Sequence, residues 1–402
     1  MRVVKSTLAL AMGTFAATAA IAADPEYTLP AWAGIYEPSG EDERGIWRET
    51  DEIERRIRDS DLVIRDEALH GYVHGVLCRT VGEDRCRNVR TYVVRSPSFN
   101  AGMYPNGAML VNSGLLLRLR NEAELAAILG HEFGHFEQRH TVEGFKDRRS
   151  GSDLLAWAAV LGAMASAYGG SYSQSDYRDL QLIVYGGQAR YKRQQESDSD
   201  LLGFAYLARA GYRPAAAADV WRAVMNEHDR SAEGRNRRSR RYDNVAFFAS
   251  HPTNLDRADY LAAMANRVPG GEYQGAQAYR DAVDPWIPMF LQDQLALNDF
   301  GGSDYVISRL SGGETPSPFL QFARAELLRQ RGHPRDLEDA LPLYRDALTR
   351  DPDLVEAWRG MGLTLMRKGS SDEGRSALVN FLDRSPDAPD APMLHAMVGS
   401  GQ

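Results

Sequence analysis

The stretch that most constrains this chain is His131-Glu132-Phe133-Gly134-His135, inside a segment that opens at Asn121 and reads as one helix. Asn121 suits an N-cap with Glu124 three residues on, Glu122 and Glu124 suit the positive helix end, and Leu125, Ile128 and Leu129 form an apolar stripe. Residues four apart share a helical face, so both imidazoles can address one metal ion. Glu132 is rotated about 100° from His131, which sets it beside such an ion rather than among its ligands. There a carboxylate can take a proton from a water held by the ion. Two surface histidines with no metal would show the same spacing, so a third ligand has to decide.

That ligand should come from a separate helix, so that three side chains form a tripod and leave one position open. The segment 191–203 supplies it: Glu196 and Asp200 are four apart on one helical face. Glu196 is expected to coordinate the metal. Asp200 would accept the second N–H of a ligand histidine and fix its tautomer. Asp198 falls on another face, and His140, five residues past His135, sits on the wrong face to join the same ion. An acidic run is often only a solvated helix surface. The upstream histidines are what set this one apart.

The first residues read as an export signal. Arg2 and Lys5 precede an apolar run from Leu8 to Ala20, and Ala20-Ile21-Ala22 is a small-residue cleavage site. Residues 1–22 are therefore set aside, and the remainder is expected in an oxidising compartment, most simply a periplasm. The only two cysteines, Cys78 and Cys86, flank a turn-forming Gly82-Glu83-Asp84. In an exported chain so close a pair reads as a disulfide, with a metal site as the alternative. A net charge of −8 gives no reason to expect nucleic acid.

Upstream of the metal helix, 46–57 and 67–77 read as helices. Then 89–94, 99–104 and 108–111 read as strands separated by Ser96-Pro97-Ser98 and Pro105-Asn106-Gly107, a small antiparallel meander. Its edge could pair with an extended peptide beside the metal, or the sheet could simply cover the helix. The apolar run 154–168 is shorter than the roughly 20 residues that span a bilayer, so it reads as buried or membrane-touching.

Three blocks resemble one known family, the zinc endopeptidases that include HtpX, LoiP, BepA and the CAAX prenyl endopeptidases. They are His131-Glu132-x-x-His135 with Gly134 and Arg139-His140, then Tyr191-x-Arg193-x-x-Glu196-x-x-x-Asp200-x-x-Gly203, then Ser250-His251-Pro252 followed by Arg257. The resemblance covers about residues 50–265, and Ser199 stands where the family more often has Ala. It implies one Zn2+ per subunit on His131, His135 and Glu196, Glu132 as general base, and His251 close to the metal. His251 could donate to the oxyanion that develops in the transition state, or occupy the open position and hold the enzyme latent. The lack of long apolar spans points to the soluble, periplasmic branch around BepA.

Six arginines between Arg230 and Arg241 have no apolar periodicity. They read as a plain exposed loop, or as a peripheral contact with anionic lipid or acidic substrate. Beyond them the chain repeats: Arg350-Asp351-Pro352-Asp353 recurs 34 residues on as Arg384-Ser385-Pro386-Asp387, with Ala340, Tyr344 and Ala347 matched by Gly374, Leu378 and Phe381. This is tetratricopeptide-like spacing. Such units stack into an interaction surface, although a helical lid is the plainer reading. A further helical pair, about 288–298 and 303–310, is expected to be joined by Phe300-Gly301-Gly302.

The expected architecture is α+β, with residues 23–270 a mostly helical zincin metallopeptidase domain carrying a small antiparallel sheet. Residues 271–402 are expected to form an all-α tetratricopeptide-like domain. The expected function is zinc-dependent cleavage of unfolded or misassembled envelope proteins, with an envelope partner at the repeats. The rival is a non-catalytic chaperone or scaffold, which an intact Glu132 argues against, since a structural zinc site has a closed ligand set.

Overall fold

A computed structural model describes residues 29–34, 37–149, 193–239, 254–268, 271–313 and 315–399. The expected signal at 1–22, the apolar run 154–168, Tyr191, Arg240, Arg241 and the Ser250-His251-Pro252 block lie outside the described residues.

Helix α1 (Gly40–Asp59) leads to α2 (Glu67–Val81), which Asp66 caps by accepting from the Leu69 amide at 2.6 Å. The short α3 (Glu83–Cys86) follows, and Cys86 is disulfide-bonded to Cys78 with Cα atoms 5.1 Å apart. The bridge holds α3 so that Arg85 reaches Glu137 at 3.2 Å, near the end of the metal helix. Cys78→Ser is expected to cost about 2–3 kcal/mol in urea unfolding through the unfolded state, with metal content by mass spectrometry unchanged. A loss of metal would show that Cys78 had been a ligand.

Three strands form one sheet: β1 (Arg90–Val94), β2 (Ala101–Met103) and β3 (Ala108–Asn112). The order is β1-β3-β2, with β1 parallel to β3 and β2 antiparallel to it, so the sheet is mixed and not the expected antiparallel meander. The burial pattern agrees with the order, since β3 is buried along its whole length and β1 only at its end. Met109 and Val111 enter the main core while Ala108 and Leu110 enter a second core with Ile57 of α1, so β3 needs cover on both faces. Arg90 at the start of β1 is exposed and suits an edge. The segment after β1 is tied to the end of β3, where Asn112 Nδ2 donates to Ser98 Oγ at 2.7 Å.

After α4 (Ser113–Arg118), the metal helix α5 (Glu122–Glu137) starts at Asn121, whose side chain accepts from the Glu124 amide at 2.9 Å. Leu125, Leu129 and Phe133 of α5 are fully enclosed. Then come α6 (His140–Arg149), α7 (Arg193–Arg209), α8 (Ala216–Gly234), α9 (Asn254–Ala265), α10 (Ala276–Val283), α11 (Ile287–Leu295) and α12 (Phe300–Leu310). Phe300-Gly301-Gly302 lies inside α12 and does not join two helices as expected. A Cβ at Gly301 would run into the carbonyl of Arg230 on α8. These glycines serve close helix approach, which in sequence looks the same as a turn. Phe290, Leu291 and Ile307 share the core of the metal helix, which extends along the chain to Leu327.

Two antiparallel hairpins follow, α13 (Pro318–Arg331) with α14 (Pro334–Arg350), and α15 (Val355–Lys368) with α16 (Ser371–Arg384), then α17 (Ala391–Gly399). Ala340, Tyr344 and Ala347 are buried on α14, and their counterparts Gly374, Leu378 and Phe381 are buried on α16. No described helix is long and apolar enough to cross a membrane.

Candidate metal centre

The centre forms where α5 crosses α7 at backbone contact. A Cβ at Gly203 would lie 2.7 Å from the His131 amide nitrogen, and one at Gly134 would lie 3.2 Å from the Ser199 carbonyl oxygen. Only glycines at this crossing let the two helices come close enough for side chains from both to converge.

His131, His135 and Glu196 do converge. The two Nε2 atoms are 3.1 Å apart, His131 Nε2 is 3.8 Å from Glu196 Oε2, and His135 Nε2 is 3.7 Å from Glu196 Oε1. Ligands about 2.0–2.2 Å from a tetrahedral ion are about 3.3–3.6 Å from one another. The donor set therefore fits one divalent ion, with three buried donors.

Asp200 stands behind this tripod, with Oδ1 2.8 Å from His131 Nδ1, so that Nδ1–H donates to it and Nε2 keeps a lone pair for the ion. Arg257 donates to the same carboxylate from Nε at 2.7 Å and Nη2 at 2.5 Å, and Tyr260 adds its hydroxyl. Burial alone would raise the Asp200 pKa, but the Arg257 charge and the hydrogen bonds from His131 and Arg257 hold it well below the usual range. His135 is backed differently: its Nδ1 is 3.0 Å from His140 Nδ1, which in turn is 3.3 Å from Ser199 Oγ. Burial and then His131 push the His135 pKa far below its ordinary value, favouring the neutral ring that binds metal. Asp198 faces away and accepts from Gln194 at 2.8 Å.

In the sequence Arg257 stands out only as part of a motif, and no motif marks Tyr260. The signal available was their spacing, since positions three apart on α9 share a face. His140 was read as being on the wrong face to bind the ion, and it is outside the donor set. Its position behind His135 followed from no local pattern.

Glu132 is partly exposed beside the donors, and desolvation pushes its pKa up to about 7. In the metal-free protein the folded state therefore keeps a proton that the unfolded chain has released between about pH 4.5 and 7. That contribution to stability is complete below the unfolded pKa and is lost as pH rises through 7. Metal-free Glu132→Gln is expected to exceed metal-free wild type in urea stability by about 2 kcal/mol at pH 8 and to match it near pH 4.5. An equal gap at both pH values would remove this account.

The profile of peptidase family M48 matches residues 65–265, half of the chain. The chain belongs to peptidase family M48. Among its relatives are the beta-barrel assembly-enhancing protease of Escherichia coli K12, 27% identical over 180 residues, and a Vibrio cholerae serotype O1 protein provisionally given the same name, 29% identical over 184. Each alignment covers 43% of this chain and 36% of the relative, so the chain spans about a third of their length. The mitochondrial metalloendopeptidase OMA1 of Schizosaccharomyces pombe is 28% identical over 188 residues, 46% of this chain and 50% of that protein. Membership in M48 implies a metal cofactor, and among the described residues the His131–His135–Glu196 set could hold one; the other cluster, His74 with Cys78 and Cys86, has its two cysteines tied in the disulfide.

Proposed function

We propose that this M48 chain is a zinc-dependent endopeptidase that cuts misfolded or misassembled envelope proteins in the periplasm. The observation that carries the reading is the buried three-donor set with Glu132 beside it. Zinc, when bound, would supply the Lewis acidity that polarises the scissile carbonyl and acidifies a water. Glu132 would accept the proton of the attacking water and hand it to the leaving amine. His131, held by Asp200, and His135, backed by His140, would keep their Nε2 atoms aimed at the ion. Strand β2, the outer strand on the side of the sheet that packs against α5, is the proposed platform for an extended substrate.

The names of the two bacterial relatives support an envelope role, and the signal-like residues 1–22 support export. We assign the tetratricopeptide-like role to the helices beyond residue 270, as the place where an envelope partner or substrate would dock. The burial match at 34-residue spacing supports this. The test is hydrolysis of casein by purified protein with and without a zinc chelator. Activity lost to the chelator and restored by Zn2+ is expected, and chelator-resistant hydrolysis would refute the reading.

His251 stays in this proposal as a residue near the metal that serves latency at least in part. On that reading, basal casein hydrolysis should rise in His251→Ala. A fall of about 10²–10³-fold would assign it to the oxyanion instead, and unchanged kinetics would remove both roles.

A further inference from the structure

One aromatic ring links the metal centre to the segment just before β2. Trp221, in the second turn of α8, is half-buried, and the Arg257 guanidinium lies over its ring at 3.6 Å from the centroid. The other side of the contact is Phe99, two residues before β2, which meets Trp221 edge-on with centroids 6.4 Å apart and planes at 78°. Arg257 is only 6% exposed and already spends its edges: Nε and Nη2 on Asp200, Nη1 at 3.7 Å from Glu196 Oε2. A planar cation engaged on its edges has only its faces left to shield. An indole face is the best partner for one of them.

We infer that Trp221 is a positioning residue of the metal centre, which acts by holding Arg257 square to Asp200 and so holding His131 in its metal-binding orientation. This rests on the metal-centre reading above. The chain of contacts runs Phe99, Trp221, Arg257, Asp200, His131, and each link is a packed ring or a charge-assisted hydrogen bond. Without the ring, water reaches the guanidinium face, competes for its N–H groups and lets the carboxylate swing. His131 then loses the acceptor that fixes its tautomer. Groups behind metal ligands commonly change metal affinity by about 10–100-fold when removed. Trp221 acts one contact further out, so about tenfold is expected.

The experiment measures the Zn2+ dissociation constant by chelator competition, together with kcat and KM on a peptide substrate. The proteins are wild type, Trp221→Ala, Trp221→Phe, Arg257→Ala and the Trp221→Ala/Arg257→Ala pair. Trp221→Ala should weaken zinc by about tenfold and lower kcat more than it raises KM, and Trp221→Phe, which keeps a ring face, should recover most of both. In the absence of Arg257, Trp221→Ala should add nothing further, because the ring acts only through that side chain. Additive losses in the double variant, or a Phe variant as weak as the Ala variant, would overturn the role. So would a Trp221→Ala protein that melts lower without metal but binds zinc normally, since that shows plain packing. A wild-type protein that retained no zinc would overturn this inference and the metal-centre reading together.

Discussion

Replacing Glu132 with glutamine is expected to lower kcat for peptide hydrolysis by about 10²–10⁴-fold, with zinc content still one per chain. The amide fills the same space and accepts hydrogen bonds, but cannot take up the proton of an attacking water. His131, His135 and Glu196 are untouched, so the donor set stays intact. Mass spectrometry of the native protein would count the zinc, and a quenched-fluorescence peptide would report kcat. Near wild-type turnover with full zinc would show that another group is the base. A protein stripped of zinc would show that Glu132 is a ligand.

The second large effect is expected at a residue with no side chain to react. Gly203→Ala would put a methyl carbon 2.7 Å from the His131 amide nitrogen, 2.9 Å from its Cα and 3.0 Å from the carbonyl carbon of Gly130. All three are backbone atoms and none can rotate away, so α7 must move off α5. Overpacking of this kind costs about 1–3 kcal/mol. Glu196 rides on α7, so the same movement draws one leg out of the tripod, and zinc affinity should fall by about 10–100-fold. Gly75→Ala on α2 is the control: its Cβ would meet nothing within 4 Å, and the change should be neutral or slightly stabilising. Thermal melts by circular dichroism with and without Zn2+ would test both. A Gly203→Ala protein with wild-type melting and zinc affinity would show that the crossing has slack.

Geometry within a single helix is legible in the sequence. His131 and His135 share a face because a helix repeats every 3.6 residues, and Glu196 and Asp200 share one for the same reason. Asn121 as the start of α5 was equally legible, because capping involves only a few neighbouring residues. Gly301 shows the limit of such reading. It looks like a turn in sequence, and only the neighbouring backbone of α8 shows that it is a contact.

By itself, then, the sequence determined which residues could serve one metal ion, where the metal helix begins, and that Cys78 and Cys86 were close enough to pair. It could not order the strands, since alternation and turns mark a strand without naming its neighbour; β3, buried along its whole length, took the centre. Nor could it place Arg257 and Trp221 behind His131, because 126 residues separate Arg257 from that histidine and no local period links them. Those choices were made by tertiary structure, through the glycine crossing of α5 and α7 and the desolvated charges that had to find partners around it.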